Sequence, residues 1–337
     1  MRQIALVAVA ALAISVGQDL SAQTPNGNFE LPPNTLYGST NDLGLNEVQR
    51  TQLNNALRTR NFKKAEGLLI DEINLNPKSA YARNCLLQAA NIFFLDNDPL
   101  NAAIAWSKAD TIAPLDERNR FSLAMAEVRL NHPAWARIQL ERVEQANPKN
   151  ALYQYWLGRL DYDAQQYDSA IDRLDKAIQL DPGLARAYDT LGLCYDYEAK
   201  LDRARASFQH AVALNEKLTH PSPWPHLDYA ILLRETNDLA EAERQLHQAL
   251  GYDDRFAPAY YHLGLLQEIQ SRYPEAIQSL EKAAALDLVY PEPHFALARI
   301  FSKTGRKEEA KRQVETYRQL KQSKASAGSQ TTPSGAH

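Results

Sequence analysis

The sequence predicts an all-α protein, a solenoid of about eight helix-turn-helix repeats. Alanine recurs every 34 residues in two series, which are Ala136, Ala170, Ala204 and then Ala242, Ala276, Ala310. Apolar residues on both sides of each alanine stand three and four positions apart, as they do on one face of a helix. Prolines close the second helix of four repeats, because proline cannot continue a helix. These prolines are Pro77, Pro114, Pro148 and Pro182.

The repeat at residues 151–184 shows the pattern most clearly. Its first helix carries Leu157 and Gly158, and its second carries Ala170 and Leu174. The small side chains at Gly158 and Ala170 allow the two helices to approach closely, and Leu174 then fills the space between repeats. One such unit cannot bury its apolar side alone, so the repeats must stack into one continuous core.

A 34-residue helix-turn-helix unit with these residue types at these offsets resembles the tetratricopeptide repeat (TPR) family. The resemblance covers residues 46–324 and implies a right-handed α-solenoid. Three residues are inserted between Ala65 and Ala102, and four between Ala204 and Ala242. The predicted repeats are 46–79, 80–116, 117–150, 151–184, 185–222, 223–256, 257–290 and 291–324.

The two ends of the chain lie outside this array. Residues 1–22 have the pattern of a secretory signal peptide, with an apolar run from Ile4 to Val16 and a cleavage site after Ala22. Residues 23–45 are predicted to be a flexible linker, and residues 325–337 a disordered tail. We therefore expect an exported protein, periplasmic or secreted, that is soluble after cleavage.

Composition excludes several classes of function. A net charge of −4 argues against nucleic acid as a partner, because nucleic-acid binders are strongly basic. Two cysteines, Cys85 and Cys194, exclude a disulfide scaffold, and as they lie in repeats far apart we expect two separate buried thiols. No apolar run is long enough to cross a membrane.

The sequence offers no catalytic motif and no cofactor motif. No two histidines have the His-Glu-x-x-His spacing of a zinc site, although His220 and His226 flank a proline-rich turn and could meet. We predict no catalytic residue, no metal and no cofactor, and therefore a protein that is not an enzyme.

The resemblance also implies where a partner binds. In TPR proteins the first helices line a concave groove, and the matching positions form a candidate binding set for a protein or peptide. These residues are Tyr155, Arg159, Tyr162, Arg186, Asp189, Asp196, Trp224, Leu227, Tyr261 and Glu268. Aromatic residues supply contact area and charged residues fix register. The alternative for each residue is that it packs between helices.

The insertion at Thr219–His226 leaves two interpretations open. Its prolines make it stiff, with Ser222 and Pro223 placed to begin the next helix. Trp224 is then either an aromatic anchor for a partner or a side chain that packs on the neighbouring repeat. The predicted function is an exported, non-enzymatic scaffold that binds proteins through its groove. The alternative is an accessory subunit of a bacterial envelope assembly or export complex.

Overall fold

A computed structural model describes residues 42–329, with the exception of 78 and 80. The part of the chain that it describes is entirely helical apart from turns, with sixteen helices and no strand. The chain divides into two compact units, with the boundary between Gln166 and Tyr167. The predicted all-α helical repeat is confirmed.

The first unit contains seven of these helices. They are α1 (Glu47–Arg58), α2 (Phe62–Leu75), α3 (Ala82–Leu95), α4 (Pro99–Ile112), α5 (Glu117–Arg129), α6 (Pro133–Ala146) and α7 (Ala151–Asp163). Pro99 and Pro133 stand at the first position of α4 and α6, where the missing N–H costs nothing.

The second unit contains the other nine helices. They are α8 (Tyr167–Leu180), α9 (Ala185–Tyr197), α10 (Leu201–Asn215), α11 (Trp224–Glu235), α12 (Leu239–Tyr252), α13 (Ala257–Ile269), α14 (Tyr273–Leu286), α15 (Glu292–Lys303) and α16 (Lys307–Ser329). Odd-numbered helices are the first helices of the repeats, and even-numbered helices are the second.

The periodic alanines lie where each second helix meets its neighbours. Ala102, Ala136, Ala242 and Ala276 are fully buried. Gly264 shows how closely the helices of one pair approach, because a Cβ atom there would lie 2.6 Å from Cγ of Leu280. The alanine and glycine spacing therefore records close helix packing.

The same tight turn joins the first and second helices of every repeat. One residue of each turn has the left-handed conformation, with φ between 53° and 78°. These residues are Arg60, Asn97, Asn131, Gln165, Ala199, Asn237, Ser271 and Gly305. The next backbone N–H donates to a carbonyl five residues earlier, as from Arg272 to Gln267 at 2.9 Å, which satisfies the end of the first helix.

Both cysteines are buried thiols, as the sequence predicts, and neither forms a disulfide. Cys85 lies in α3 and its Sγ donates to the carbonyl of Leu43 at 3.2 Å. Burial raises the pKa of the Cys85 thiol to about 11, so it stays protonated at neutral pH.

The folded array is longer than predicted at both ends. Leu43 and Leu45 are buried, and Asn84 donates to the carbonyl of Asp42 at 3.1 Å. These residues belong to the segment predicted as a linker, but their side chains complete the packing beside α3. At the other end α16 continues to Ser329, past the predicted start of the tail at residue 325. The predicted signal peptide lies outside the described residues.

Candidate partner-binding surfaces

In the first unit, α7 carries three of the predicted site residues, Tyr155, Arg159 and Tyr162. Arg159 lies over the ring of Tyr162, 5.4 Å from its centroid, and forms an ion pair with Asp163 at 3.2 Å. Burial opposes the charged guanidinium, but the negative charge of Asp163 outweighs it and raises the pKa of Arg159. Arg159 and Tyr162 are half-buried, and their positive charge and ring form a fixed pair.

Tyr155 corrects the prediction of an open groove residue. Its side chain is 7% exposed and packs edge-on against Trp156, with ring centroids 5.2 Å apart. Most of its ring therefore belongs to the core, and only a small part of it is accessible to a partner.

In the second unit the first helices lie side by side, with α9 beside α11, α11 beside α13, and α13 beside α15. Polar side chains connect them. Arg234 of α11 donates to Nδ1 of His262 of α13 at 3.0 Å. Glu268 of α13 accepts from Arg299 at 2.9 Å and from Lys303 at 2.8 Å, both on α15. We call the surface that carries Asp196, Arg234, Glu235, Tyr261, Arg299 and Lys303 the first-helix face of the second unit.

His262 is neutral in this network. Burial and the adjacent charge of Arg234 lower its pKa to about 3. Its Nδ1 atom therefore keeps a lone pair at neutral pH and accepts the hydrogen bond from the guanidinium. The pair fixes α11 against α13 and holds Arg234 in place.

Glu268 is the second correction. It is 7% exposed, so it is not an open acidic contact. Burial alone raises the pKa of a carboxyl, but the hydrogen bonds from Arg299 and Lys303 outweigh it and the pKa of Glu268 is lowered. Two cations surround one carboxylate, so this end of the face is positively charged, and Arg299 and Lys303 are its exposed groups.

The opposite end of the same face is acidic. Asp196 of α9 is half-buried, and burial together with the charge of Glu235 raises its pKa to about 6. Glu235 is exposed and lies 3.6 Å from Arg234. Tyr261 is half-buried between these ends, edge-on to Tyr290 at 5.3 Å. The face thus changes sign from α9 to α15.

Trp224 and Leu227 of α11 belong mostly to the core. Trp224 is half-buried and lies edge-on to Phe256, with centroids 4.8 Å apart, which favours packing on the neighbouring repeat over an exposed anchor. Leu227 is 2% exposed and its prediction as a groove residue is corrected. The helix begins at Trp224, one residue later than predicted, and Ser222 Oγ accepts from its N–H at 3.3 Å.

Arg186 and Asp189 both lie on α9 and are half-buried. Arg234, by contrast, is absent from the predicted set. It stands 38 residues after Asp196 and 34 before Glu268, the same spacings as those of Ala204, Ala242 and Ala276. Counting the four inserted residues would have found it.

Metal ligands do not gather in the described ranges, where no three His, Cys, Asp or Glu side chains are placed to hold an ion. His226 is fully buried and its Nδ1 is bonded to Gln245, whereas His220 is exposed. Within residues 42–329 no helix combines the length and the hydropathy needed to cross a bilayer.

Comparison with known proteins agrees with this architecture. A tetratricopeptide repeat family model matches residues 121–185 and 227–289, and a second such model matches residues 185–218. The class of the protein is therefore an all-α helical repeat, and the chain carries tetratricopeptide repeats between residues 121 and 289.

Solved structures share the fold at low sequence identity. A tetratricopeptide repeat protein from Parabacteroides merdae matches with a TM-score of 0.63 and 15% identity, over 80% of this chain and 98% of that one. The Cut9–Hcn1 hetero-tetramer of the APC/C matches with a TM-score of 0.60 and 13% identity, over 81% of this chain and 52% of that one. These similarities concern the fold alone.

One curated relative has an enzyme name. A probable UDP-N-acetylglucosamine–peptide N-acetylglucosaminyltransferase SPINDLY from Hordeum vulgare is 27% identical over 118 residues. The match covers 34% of this chain, and the chain spans only about an eighth (12%) of that relative's length.

Proposed function

We propose that this protein is a non-enzymatic scaffold that binds a protein partner through the first helices of its repeats. The observation that carries the proposal is the first-helix face of the second unit, on which α9, α11, α13 and α15 present charged and aromatic side chains side by side. Hydrogen bonds between these helices hold the face in a fixed arrangement. Such a preformed surface binds without a large rearrangement.

The charge distribution indicates how a partner is oriented on this face. Asp196 and Glu235 attract basic groups at α9 and α11, and Arg299 and Lys303 attract acidic groups at α15. A partner segment with a basic and an acidic end fits in one direction only. Exposed charges of this kind fix register and accelerate encounter more than they add affinity.

Site-specific photocross-linking tests the proposal. A photoreactive amino acid replaces Lys303 of the first-helix face in one variant and Lys282 of α14 in the control, since both lysines are exposed. We expect a specific cross-linked protein at position 303 and none at position 282. The partner obtained is then titrated against Glu235→Lys and Lys303→Gln, with Glu281→Lys and Lys282→Gln as matched controls.

The expected loss of affinity is roughly tenfold for each change on the first-helix face, which corresponds to about 1.4 kcal/mol. The controls on α14 should change affinity by less than about twofold, because exposed charges away from an interface contribute little. Equal losses in both pairs, or cross-links at position 282 alone, would place the partner elsewhere and defeat the proposal.

The absence of enzymatic activity is part of this proposal. The described residues bring no nucleophile, base and metal ligands together, and the match to the transferase involves only a small part of that protein. Incubation of the purified chain with UDP-N-acetylglucosamine and peptide acceptors should release no UDP above the buffer rate. Release that depends on the protein would contradict the scaffold proposal.

We also propose that the chain is exported. The apolar run from Ile4 to Val16 and the small residues before Gln23 support this, and they lie outside the described residues. Expression of the whole chain in a bacterium should yield a periplasmic or secreted protein whose mass begins at Gln23. Val9→Arg, which places a charge in the apolar run, should leave the chain unprocessed. An unprocessed native chain in the cytoplasm would refute export.

A further inference from the structure

The four-residue insertion after α10 brings a carboxylate and a buried imidazole together. Asn215 fixes the loop, since its side chain donates to the carbonyl of Ser222 at 2.8 Å and accepts from the Ser222 N–H at 2.9 Å. Glu216 caps the end of α10, and His226 lies in the first turn of α11. Nε2 of His226 is 4.0 Å from a carboxylate oxygen of Glu216.

A cavity of about 410 Å³ opens beside this pair, between α10, α11 and α12. Its charged lining consists of three carboxylates, Glu216, Asp238 and Glu241, and one guanidinium, Arg205. The volume lies within the ordinary range for small-ligand sites. The lining is therefore negatively charged and large enough to admit a side chain or small molecule.

Two of the three carboxylates already have cationic partners. Asp238 lies 3.7 Å from Arg205, which also donates to Thr236 at 3.1 Å. Glu241 pairs with Arg244. Glu216, by contrast, forms an ion pair with no lysine or arginine of the described chain, and its side chain is 51% exposed. The unbalanced charge of the cavity is therefore at the Glu216 end.

His226 adds an unsatisfied acceptor at the same end. Gln245 donates to Glu241 at 2.7 Å, so its carbonyl oxygen faces His226 and accepts from Nδ1 at 2.6 Å. Burial lowers the pKa of His226, which keeps the ring neutral with its proton on Nδ1. Nε2 then carries a lone pair, is fully buried and has no hydrogen-bond partner. A buried acceptor in this state destabilises the site until a donor reaches it.

We propose that this cavity binds a guanidinium group, with Glu216 as its counter-ion and His226 Nε2 as a second acceptor. A guanidinium has several N–H donors in one plane, and it is less strongly hydrated than an ammonium, so it enters a partly buried site more readily. It would neutralise Glu216 and satisfy Nε2 together. Hydrogen bonds of this charge-assisted kind are the strong ones.

The chain contains a second copy of the histidine pair, which serves as an internal control. His294 of α15 bonds to Gln313 of α16 at 2.6 Å, with the same separation of 19 residues, and it also follows a Pro-x-Pro sequence. The position on α14 that corresponds to Glu216 holds Leu288. The second copy thus has the imidazole but no carboxylate at that position, and it should bind no guanidinium.

The experiment is an NMR titration of the whole chain with ¹⁵N-labelled histidine at pH 7.5. The probe is N-acetylarginine amide, and N-acetylcitrulline amide is its uncharged counterpart. The shift of the unprotonated ring nitrogen of His226 should change saturably with the arginine probe and not with citrulline. Glu216→Gln should weaken binding by roughly tenfold or more, as expected for loss of a charged partner. The signal of His294 should not move.

Two further probes identify the source of the guanidinium. Tighter binding of Gly-Arg-Gly than of agmatine supports an arginine side chain of a protein, and the reverse order supports a small free guanidine. The proposal is overturned if His226 shows no saturable change, if citrulline binds as well as arginine, or if Glu216→Gln binds unchanged. Because Glu216 is half-exposed, its substitution should leave the circular dichroism spectrum intact, which separates lost binding from lost fold.

Discussion

At the scale of single residues, Glu127 of α5 is a buried carboxyl without its expected partner. It stands 34 residues before Asp161 of α7, which forms an ion pair with Arg137 at 2.6 Å. The residue 34 positions before Arg137 is Ala103, so Glu127 lacks the corresponding cation. One of its carboxylate oxygens is buried with no hydrogen-bond partner, and burial raises its pKa to about 7.

This pKa predicts that Glu127→Gln stabilises the protein in alkaline solution. The folded pKa of about 7 exceeds the ordinary value of 4.5, so the folded state binds the proton more tightly. Stability is therefore lost as the pH rises from 4.5 to 7, and the penalty stays complete above 7, at up to about 3 kcal/mol. Denaturant unfolding at pH 4.5 and pH 8.5 should show a gain for the variant at the higher pH only.

A second variant checks the cause. Ala103→Arg supplies the missing cation and should also raise stability at pH 8.5, with little effect at pH 4.5. If Glu127→Gln changes stability equally at both pH values, the ionisation of Glu127 is not the source of the effect.

Sequence spacing places residues at equivalent positions, but it does not reveal how far each is buried. Asp196, Arg234 and Glu268 occupy equivalent positions, yet Asp196 and Arg234 are half-buried and Glu268 is 7% exposed. The difference arises because α15 places Arg299 and Lys303 over Glu268. Such neighbours come from the next repeat, and the pattern within one repeat contains no information about them.

At the scale of elements, the turn between helices is the most regular feature, and a left-handed residue occurs in all eight repeats. The sequence analysis predicts the helix pairs from apolar periodicity, but it does not predict these turns, because only Gly305 among the eight is a glycine. The tight packing of paired helices imposes the left-handed conformation on residues that do not favour it. Side chains with a Cβ atom are strained there.

Ala199 is the clearest case for relief of this strain. Its φ is 55°, and it lacks the short polar side chain that makes asparagine tolerant of this region. We expect Ala199→Gly to stabilise the protein by about 0.5–1 kcal/mol, because the strain removed exceeds the entropy that glycine loses on folding. Thermal unfolding measures the effect. Asn237→Gly, at the equivalent turn, should give a clearly smaller gain, and an equal gain would show that strain at alanine is not the cause.

At the scale of the whole molecule, the exposed positions of the second helices change character along the chain. Ile104 of α4 and Ile138 of α6 occupy equivalent positions and are 43% and 47% exposed. The corresponding residues of the later second helices are polar or small. They are Asp172, Ala206, Arg244, Gln278 and Arg312. Exposed apolar area is therefore concentrated in the first unit, with Trp135 of α6 adding a ring that is 57% exposed.

This distribution predicts where an apolar dye binds. The double variant Ile104→Gln with Ile138→Gln should bind less anilinonaphthalene sulfonate than the native chain, because apolar surface is replaced by amides. Its melting temperature should change little, since surface substitutions of half-exposed side chains usually alter stability by about 0.5 kcal/mol or less. The control, Ala206→Gln with Arg312→Gln, should leave dye fluorescence unchanged. Equal fluorescence from all three proteins would contradict the assignment.

The two buried thiols make the chain its own reporter of local opening. Cys85 lies in the first unit and Cys194 in the second, and the chain has no other cysteine. Both are 0% exposed, so an alkylating reagent reaches either sulfur only when the surrounding helices separate. The labelling rate at each position, read by mass spectrometry of the two peptides, therefore gives the opening free energy of each unit in the native sequence.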